Sequence, residues 1–528
     1  HYRQDVQDYL NDKYQTDIVI GSLSMDWSQS GPSLVAEQVQ LFSRDAMAIN
    51  IAQLDIGVDF WHSLRSQKLI TNNFILSGAK LSVSRSLLTA NNDTSYERSV
   101  LTELSDLFIE QIERFSLRDS EFIIEEGQQR RRILISQLSW LNTDDRHQGQ
   151  ADVLLDGLTS NKVKILFDGY GDHSTNMTGT LFLDAENVDI TPWLGQLIAL
   201  ENMQIESAMN FDAWLTIEAG QATQLQVDLQ ENYIRWQQQG QQQDFTLSSG
   251  QLFVTQLADL SQLQISSGPL AFVFNQQAWP DVGFNYRQGN QQAQAFVSYL
   301  DIASLSHLLP LFLPDTGLMS QLEQLALQGQ LTELYWQRQD EQWQLSTEFA
   351  ELNSEYYAGL PGIANASGLI VVAEQQLQLR LQAEQGALDF AQHFRAPIPY
   401  QSLTTVINAQ ASAQGWQFSS DAFELNSEQV ALSAQFAVQM PSNEPAKMAL
   451  LASVTEAKVT EVVNFFPLTV MSDSLVSYLE QALIAGNVAQ AQVLFNGAFS
   501  DFPFTDDSGI FVVDSELTDS QFKFAEHW

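Results

Sequence analysis

The 528-residue sequence has no cysteine. A chain without thiols forms no disulfide, offers no Cys-ligated zinc and holds no cysteine nucleophile. It also has no run of about 18 apolar residues, the length with which an α-helix crosses a bilayer. Basic residues are scarce, with 24 Lys and Arg against 64 Asp and Glu, and the formal charge is −40. Such a chain repels nucleic acids and anionic membrane surfaces over its bulk, so no nucleic-acid partner is expected.

Motifs for catalysis and metal binding are equally scarce. No two of the seven histidines lie within five residues of each other, so no zinc pair at helical spacing exists. The segment DGYGDHST, from Asp168 to Thr175, lacks the further glycine or lysine of a phosphate loop and lies between two strand-like runs. It therefore predicts a hairpin turn. No Gly-x-Ser-x-Gly nucleophile elbow occurs, and no glycosidase carboxylate pair stands out among 64 acids. The sequence predicts no enzyme, no cofactor and no metal site.

Alternating apolar residues dominate what is present. In VALSAQFAVQM, from Val430 to Met440, every second residue is apolar, and LQLRLQA from Leu377 repeats the device. Because alternate side chains of a strand point to opposite faces, such segments have one apolar face and one mildly polar face. About 35 runs of this kind occur, and at about 4.8 Å per strand a single sheet of them would extend about 170 Å. The pattern predicts a mainly β fold with an elongated, curved antiparallel β-sheet, a repeating β-groove with a hydrophobic interior.

A few amphipathic helices interrupt the strands. We expect an N-terminal helix over residues 1–15 and further helices near 99–112, 190–209, 301–313, 388–394 and 456–485. Pro310 should end or bend the helix near 301, and Ser472 or Asp473 should cap the last one, which Gly486 closes. No obvious linker separates domains, so residues 16–528 are interpreted as one continuous repeated β-groove. The sequence begins at His1 without Met, and we interpret it as a fragment of a longer chain.

Several segments, taken in order, carry a resemblance to a known family. They are YRQDVQDYLNDKYQTDIVIGSLSMDWSQS near the start, LDIASLSHLLPLFLP with LEQLALQGQLTELYW in the middle, and VSYLEQALIAGNVAQAQVLFNGAFSDFPFTDDSGIFVV near the end. The order and spacing of these landmarks resemble the periplasmic part of YhdP-like members of the AsmA-like family of Gram-negative envelope proteins. The likeness extends along nearly all of the chain.

The resemblance implies a long, curved sheet with a continuous hydrophobic groove. It implies a periplasmic location, an inner-membrane anchor helix before His1, and more β-structure after Trp528 that contacts the outer membrane. Members of this family are implicated in moving phospholipid from the inner to the outer membrane, in support of the outer-membrane permeability barrier. Phospholipid acyl chains are therefore the expected partner, and the expected function is a non-enzymatic lipid-transfer conduit.

The physical logic agrees with that implication. A phospholipid with about 30 tail carbons meets a barrier of about 24 kcal/mol in water, at about 0.8 kcal/mol per methylene. Apolar strand faces could keep the tails dry while the headgroup stays outside. The residues predicted to line the groove are Ile75, Leu81, Val83, Leu377, Leu379, Leu381, Val430, Leu432, Phe436 and Val438. For each of them, ordinary core packing under a helix or a second sheet is the alternative.

A second hypothesis is a protein with the same strands that binds no lipid. In it the chain is a structural or adhesin-like β-solenoid of the envelope, with a closed interior filled by its own side chains. Such a protein would carry no lipid when purified, so mass spectrometry of the detergent-free chain separates the two hypotheses.

Overall fold

The chain is mainly β in the computed structural model, as the sequence predicts. The structure describes residues 2–14, 17–28, 31–43, 47–66, 71–84, 112–126, 129–155, 163–173, 175–191, 204–238, 240–312, 324–357, 360–455, 457–469 and 471–525. Within these ranges it has 31 strands and four α-helices. The described residues divide into two compact units, the first ending at Ala278 and the second beginning at Trp279.

Unit 1 holds the first eighteen strands. They are β1 (Asp17–Val19), β2 (Ser22–Ser28), β3 (Gly31–Ser43), β4 (Met47–Val58), β5 (Thr71–Ser77), β6 (Lys80–Ser84), β7 (Arg114–Glu126), β8 (Gln129–Thr143), β9 (Arg146–Leu155), β10 (Val163–Tyr170), β11 (Thr178–Val188), β12 (Ile205–Glu218), β13 (Gln221–Leu229), β14 (Asn232–Gln238), β15 (Gln241–Thr255), β16 (Gln264–Ser267), β17 (Ala271–Phe274) and β18 (Gln277–Ala278).

Most strands of unit 1 pair antiparallel with the strand that follows them in the chain. β3 pairs with β1, β2 and β4, and β7 to β13 follow one another in sequence order. β15 then pairs with β13 and β14. The exception is β7, which runs parallel to both β5 and β6. Neighbouring hairpins thus build one array in which pairing partners are close in sequence.

Unit 2 holds the remaining thirteen strands. They are β19 (Phe284–Gln288), β20 (Gln292–Asp301), β21 (Gln328–Gln339), β22 (Gln342–Ser354), β23 (Gly362–Ala373), β24 (Gln376–Asp389), β25 (Ile398–Ser412), β26 (Gly415–Asn426), β27 (Ala431–Pro441), β28 (Lys447–Thr455), β29 (Ala457–Lys458), β30 (Leu483–Ala498) and β31 (Ile510–Phe522). β19 to β28 form an antiparallel meander, which β30 and β31 continue, with the short β29 also beside β30.

The four described α-helices are α1 (Tyr2–Tyr14), α2 (Phe60–Ser66), α3 (Ile302–Phe312) and α4 (Asp473–Ala482). Four short 3-10 helices accompany them, at Leu260–Gln262, Ala391–His393, Val462–Phe465 and Phe499–Asp501. None of the helices in the described ranges is both long enough and apolar enough to cross a membrane. Sequence patterning did not predict α2.

Several predicted helix boundaries were wrong. In the range 190–209, residues 192–203 lie outside the described residues and β12 begins at Ile205. The range 388–394 holds only a 3-10 turn, because β24 continues to Asp389. The range 456–485 holds β29, a 3-10 helix and α4, and β30 already begins at Leu483. Residues 99–111 lie outside the described residues. The helix α3 continues past Pro310 to Phe312.

The cap of α4 was predicted correctly at its start and wrongly at its end. The Ser472 hydroxyl accepts the Leu475 backbone N–H at 3.3 Å, which makes Ser472 the N-cap. Gly486 does not close the helix. It lies inside β30 with φ +125°, at an irregularity in the pairing with β31.

The core of unit 1 begins where α1 covers the first strands. Leu10 of α1 is buried in the cluster that also holds apolar residues of β3, β4 and β5, and Val6 and Tyr9 on the same helical stripe pack against that cluster. Two amides of α1 also bond the backbone near β1: Gln7 accepts from Ile20 N–H at 3.0 Å and Asn11 from Ile18 N–H at 2.7 Å. The helix therefore satisfies polar groups of an edge strand that would otherwise be open.

Candidate functional site

The apolar side chains of β24 lie on one face of the unit 2 sheet. Leu377, Leu379 and Leu381 share that face because alternate residues of a strand point the same way. Residues directly opposite one another in an antiparallel pair also share a face, so the cross-strand partners extend it. Those partners on β23 and β25 are Val372 and Ala409 for Leu377, Ile370 and Ile407 for Leu379, and Gly368 and Thr405 for Leu381.

The predicted residues of β27 belong to the same face. Their partners on β26 and β28 are Leu425 and Val454 for Leu432, Ser420 and Leu450 for Phe436, and Phe418 and Met448 for Val438. Val430 lies one residue before β27 and is buried. A row of paired residues, Leu381, Thr405, Phe423 and Ala434, joins the β24 set to the β27 set. We call this side of β23 to β28 the apolar face of unit 2.

Burial on the apolar face changes from one end of each strand to the other. Along β26, Leu425 is 2% exposed and Trp416 is 48% exposed. Along β27, Val430 is buried and Met440 is exposed, while Leu432, Phe436 and Val438 between them are half-buried. The face is therefore sealed at one end of its strands and exposed at the other, with Ser420 and Ala409 as buried positions between the two ends.

Short segments of unit 2 seal the buried end. Phe390, Val462 and Phe465, which lie in or next to the 3-10 helices, pack against the buried cluster that holds Leu403 and Leu425. The described α-helices make their main contacts elsewhere, α3 with β20 and β21 and α4 with β30. In the order of the sheet, β24 to β27 therefore lie between the strands that α3 contacts and the strand that α4 contacts.

One polar pair interrupts the apolar face, and its groups satisfy each other. Thr405 and Ser420 are both buried, and their hydroxyl oxygens lie 3.0 Å apart in a hydrogen bond. A buried hydroxyl without a partner would cost about 1–3 kcal/mol, and this pairing avoids that cost. The register of β25 and β26 shifts by a bulge at this place, between Thr405 and Asn408.

The opposite face of unit 2 is rich in glutamine. Gln378 donates to the Asn408 side chain at 3.0 Å and accepts from Arg380 Nε at 3.2 Å. Gln337 donates to Gln344 at 3.3 Å across β21 and β22. Amide side chains can donate and accept hydrogen bonds with each other and with water. The glutamine face of the sheet is therefore readily hydrated, whereas the apolar face is not.

A ladder of aromatic rings crosses the strands of unit 1. The Phe115 and Trp140 ring centroids lie 6.1 Å apart, and those of Trp140 and Phe167 lie 5.3 Å apart at an interplanar angle of 11°. Gly149 lies opposite both Trp140 and Phe167 and leaves room for the rings. The sequence analysis did not single out this ladder. Its signal is the alternation of Leu138 with Trp140 and of Ile165 with Phe167.

The three predicted lining residues of unit 1 have different positions. Leu81 packs against the buried cluster that α1 covers. Val83 lies in β6 opposite Ile124 of β7. Ile75 is on the other side of the sheet, because it pairs with Asp55 and Ser116 while its neighbours Phe74 and Leu76 are buried in the core. The structure therefore does not group Ile75 with the apolar residues of the core face.

A buried polar network adjoins the aromatic ladder. The Asn142 side-chain oxygen accepts from Trp140 Nε1 at 2.6 Å and lies 2.8 Å from His147 Nδ1. His147 Nε2 lies 2.6 Å from the Gly171 carbonyl oxygen, and Asn142 Nδ2 donates to the Ile112 carbonyl at 2.6 Å. His147 is fully buried and bonded on both ring nitrogens, so it has a structural role that explains its presence.

The ion pair nearest the ladder lies on the face away from the rings. Arg146 Nε and Nη2 donate to the two Asp168 oxygens at 2.9 Å each. The hydrogen bond from Arg146 holds the pKa of the Asp168 carboxyl below its usual value. Asp168 follows Phe167 in β10, and successive residues of a strand point to opposite faces. The sheet thus separates this ion pair from the Trp140 and Phe167 rings of the ladder.

The predicted turn at Asp168 is confirmed. β10 ends at Tyr170, β11 begins at Thr178, and the two strands pair antiparallel across it. Across the ranges that the structure describes, no three His, Asp or Glu side chains are grouped so that they could hold a metal ion.

Comparison with known proteins agrees with this architecture. A family model described as "YhdP protein" matches residues 1–528. The chain is also 24% identical over 554 aligned residues to a protein of Escherichia coli (strain K12) named "Intermembrane phospholipid transporter YhdP". That alignment covers all of this chain and 43% of the relative, so the chain spans less than half of the relative's length. Because the family model extends over its whole length, the chain belongs to the YhdP family.

Proposed function

We propose that the chain is part of a non-enzymatic conduit that carries phospholipid between the inner and outer membranes, with acyl chains lying on its apolar strand faces. The name of the E. coli relative supports lipid as the cargo. The coarser role, lipid transport, rests on family membership. The finer one, transfer along this particular face, rests on the geometry of unit 2.

The observation that carries the proposal is the burial gradient on the apolar face of unit 2. A fully buried core residue touches about 6–12 other residues of its own protein, which leave no apolar surface for a ligand. Here Leu432 and Val438 lie in register with apolar partners on both sides, Phe436 lies between Ser420 and Leu450, and all three stay half-exposed. Acyl chains laid against them would remove that remaining apolar surface from water, at about 25 cal/mol per Å².

The lining set follows from the placement of each residue. We propose Leu377, Leu379, Leu432, Phe436 and Val438 as contacts for acyl chains, because all five are half-buried on the apolar face. Leu381 and Val430 lie at its sealed end and would form its floor. Leu81 and Val83 would belong to a corresponding path in unit 1. We leave Ile75 out because it lies on the other side of the sheet.

The proposed path also implies a cellular location. We place the chain in the periplasm, where the zwitterionic headgroup of a lipid would travel in water beside the open end of the strands. We further propose that a longer parent chain would supply the inner-membrane anchor and the outer-membrane contact.

Native mass spectrometry of the purified, detergent-free chain tests whether lipid is the cargo. We expect phospholipid to copurify and to exchange with added vesicles, because apolar contact without specific polar bonds lets the cargo leave. A chain that carries no lipid and takes up none from vesicles would instead support the structural β-solenoid.

A pair of adjacent substitutions tests the path itself. Phe436→Glu places a carboxylate on the apolar face, where burying a charge against acyl chains costs about 2.5–3.5 kcal/mol. We expect lipid bound by this variant to fall at least about tenfold. Gln435→Glu, the matched control, adds the same charge on the opposite face of the same strand and should leave lipid binding unchanged.

Equal thermal unfolding midpoints of the two variants would show that both fold. If Phe436→Glu then binds and transfers lipid as well as Gln435→Glu does, acyl chains do not pass this face.

A further inference from the structure

The helix α2 contributes an apolar stripe that the protein does not bury. None of its described residues is buried, although it joins two strands of the unit 1 core. Trp61 is 76% exposed and Leu64 is 61% exposed, and Phe60 is exposed beside them. Leu64 follows Phe60 by four residues and Trp61 by three, so the Leu64 side chain lies on the same side of the helix as both of them.

Two residues of β2 extend this stripe. The Trp27 ring packs edgewise on Phe60 with centroids 6.0 Å apart, and Phe60 packs on Trp61 at 5.2 Å. Trp27 is 69% exposed, and Met25, on the same face of β2, is exposed too. We call Met25, Trp27, Phe60, Trp61 and Leu64 the aromatic patch.

Polar contacts hold α2 in place without using the patch. The Asp59 side chain accepts the His62 backbone N–H at 3.0 Å and lies 3.1 Å from His62 Nδ1. The Ser66 hydroxyl donates to the His62 carbonyl at 2.7 Å. Since a helix of seven residues gains little stability by itself, these bonds define it, and the exposed rings add nothing to the core. A contiguous exposed apolar patch of this kind is typical of an interaction site.

The composition of the patch fits the interface of a bilayer. Trp and Phe are favoured at the headgroup level of membranes, where a large ring meets both acyl carbon and water. The α2 segment FWHSLRS carries no acid, and Arg65 is exposed on it, within reach of a lipid phosphate. A second copy of the chain fits less well, because two molecules of charge −40 would repel each other.

We propose that the aromatic patch inserts into the headgroup region of a phospholipid bilayer and so docks unit 1 on a membrane surface. The choice of a bilayer as occupant rests on the proposed function, whereas the exposure of the patch does not. Binding should favour zwitterionic over anionic vesicles, because the net charge of the chain opposes approach to an anionic surface.

Flotation with phosphatidylcholine vesicles tests the proposal. We expect the wild-type chain to float with the vesicles, and the double variant Trp61→Ser with Leu64→Ser to bind at least about tenfold more weakly, because it loses two apolar side chains from the interface. Leu260→Ser, which removes an unrelated leucine of unit 1 that is 64% exposed, is the matched control and should bind as the wild type does. Brominated phosphatidylcholine should quench Trp fluorescence in the wild type and in the control, and less in the double variant.

Three results would overturn this inference: wild-type chain that stays with the soluble fraction, a double variant that binds like the control, or sedimentation showing a dimer that the double variant loses. The first two leave the proposed function standing as long as native mass spectrometry still finds lipid on the chain. If the chain binds vesicles but carries no lipid, the result would contradict the proposed function and support the docking of the aromatic patch on membranes.

Discussion

Gly149 is the residue on which the aromatic ladder of unit 1 depends. A Cβ atom at this position would lie 2.5 Å from Cε3 and 2.6 Å from Cζ3 of Trp140, closer than carbon atoms approach without displacement. The ring cannot retreat freely, because its Nε1 is bonded to Asn142 and its faces stack on Phe115 and Phe167. Glycine is therefore required here for space, and its backbone conformation is ordinary.

We predict that Gly149→Ala lowers the free energy of unfolding by about 1–3 kcal/mol, the usual effect of overpacking. Urea unfolding followed by Trp fluorescence measures it. Gly268→Ala is the control, since its nearest neighbour, Gln251 Cβ, would lie at an ordinary 3.5 Å. Equal stability of the two variants would mean that the Trp140 ring is not held as described.

The residue scale also shows why Ile75 was misplaced by sequence reasoning. Phe74, Ile75 and Leu76 are three apolar residues in a row, so the run has no alternation to say which side faces the core. The choice is made across the strands, where Leu76 meets Leu54 and Leu117 while Ile75 meets Asp55 and Ser116. A single sequence does not contain that pairing register.

The last strand, β31, is an exposed edge strand of the unit 2 sheet in the described part of the chain. In the described part of the chain it pairs with β30 alone, and every residue of its burial pattern is exposed. Val513 shares a face with the apolar residues of β30, whereas Asp514 points to the other side. An exposed edge with an apolar face is a template for strand addition and self-association.

At high ionic strength, where the mutual repulsion of the negative charges is screened, we predict that Val513→Lys reduces concentration-dependent association of the purified chain, because a charge on the apolar face opposes edge pairing. Analytical ultracentrifugation over a range of protein concentrations measures it. Asp514→Lys, on the opposite face of the same strand, is the control and should have the smaller effect. Identical sedimentation of both variants and the wild type would argue against association through β31.

The periodicity of apolar residues predicted some helices and strands correctly and others wrongly. The alternation in β24 and β27 predicted their faces, because each of those strands has one sealed side. Of the helix predicted over 456–485, only Asp473–Ala482 is an α-helix. It ends there because Leu483 and the residues that follow pair with β31, and sequence spacing does not reveal that pairing. The aromatic patch was not predicted either, because apolar residues on a short helix look the same whether they are buried or exposed.

At the scale of the whole molecule, charge is the dominant feature. A formal charge of −40 over 528 residues opposes compaction, and 24 basic residues cannot neutralise it. The described ion pairs, such as Arg146 with Asp168 and Arg235 with Asp244, are solvent-accessible and contribute little each.

We predict that the thermal unfolding midpoint rises when NaCl is increased from about 0.01 M to about 0.15 M, a change that shortens the screening length from about 30 Å to about 8 Å. Differential scanning fluorimetry measures the midpoint. Choline chloride at the same ionic strength should act alike, because screening depends on ionic strength and not on the cation. A midpoint that falls or stays constant would show that self-repulsion does not limit stability.

The meander of unit 2 has a consequence for how such a chain can change its size over evolution. β24, β25, β26 and β27 alternate in direction and each touches only its neighbours in the sheet. Excising the hairpin β25–β26 would bring β24 against β27, which already run in opposite directions, with their apolar sides on the same surface. Duplication or loss of whole hairpins could therefore lengthen or shorten the array in steps of two strands, each step about 9–10 Å.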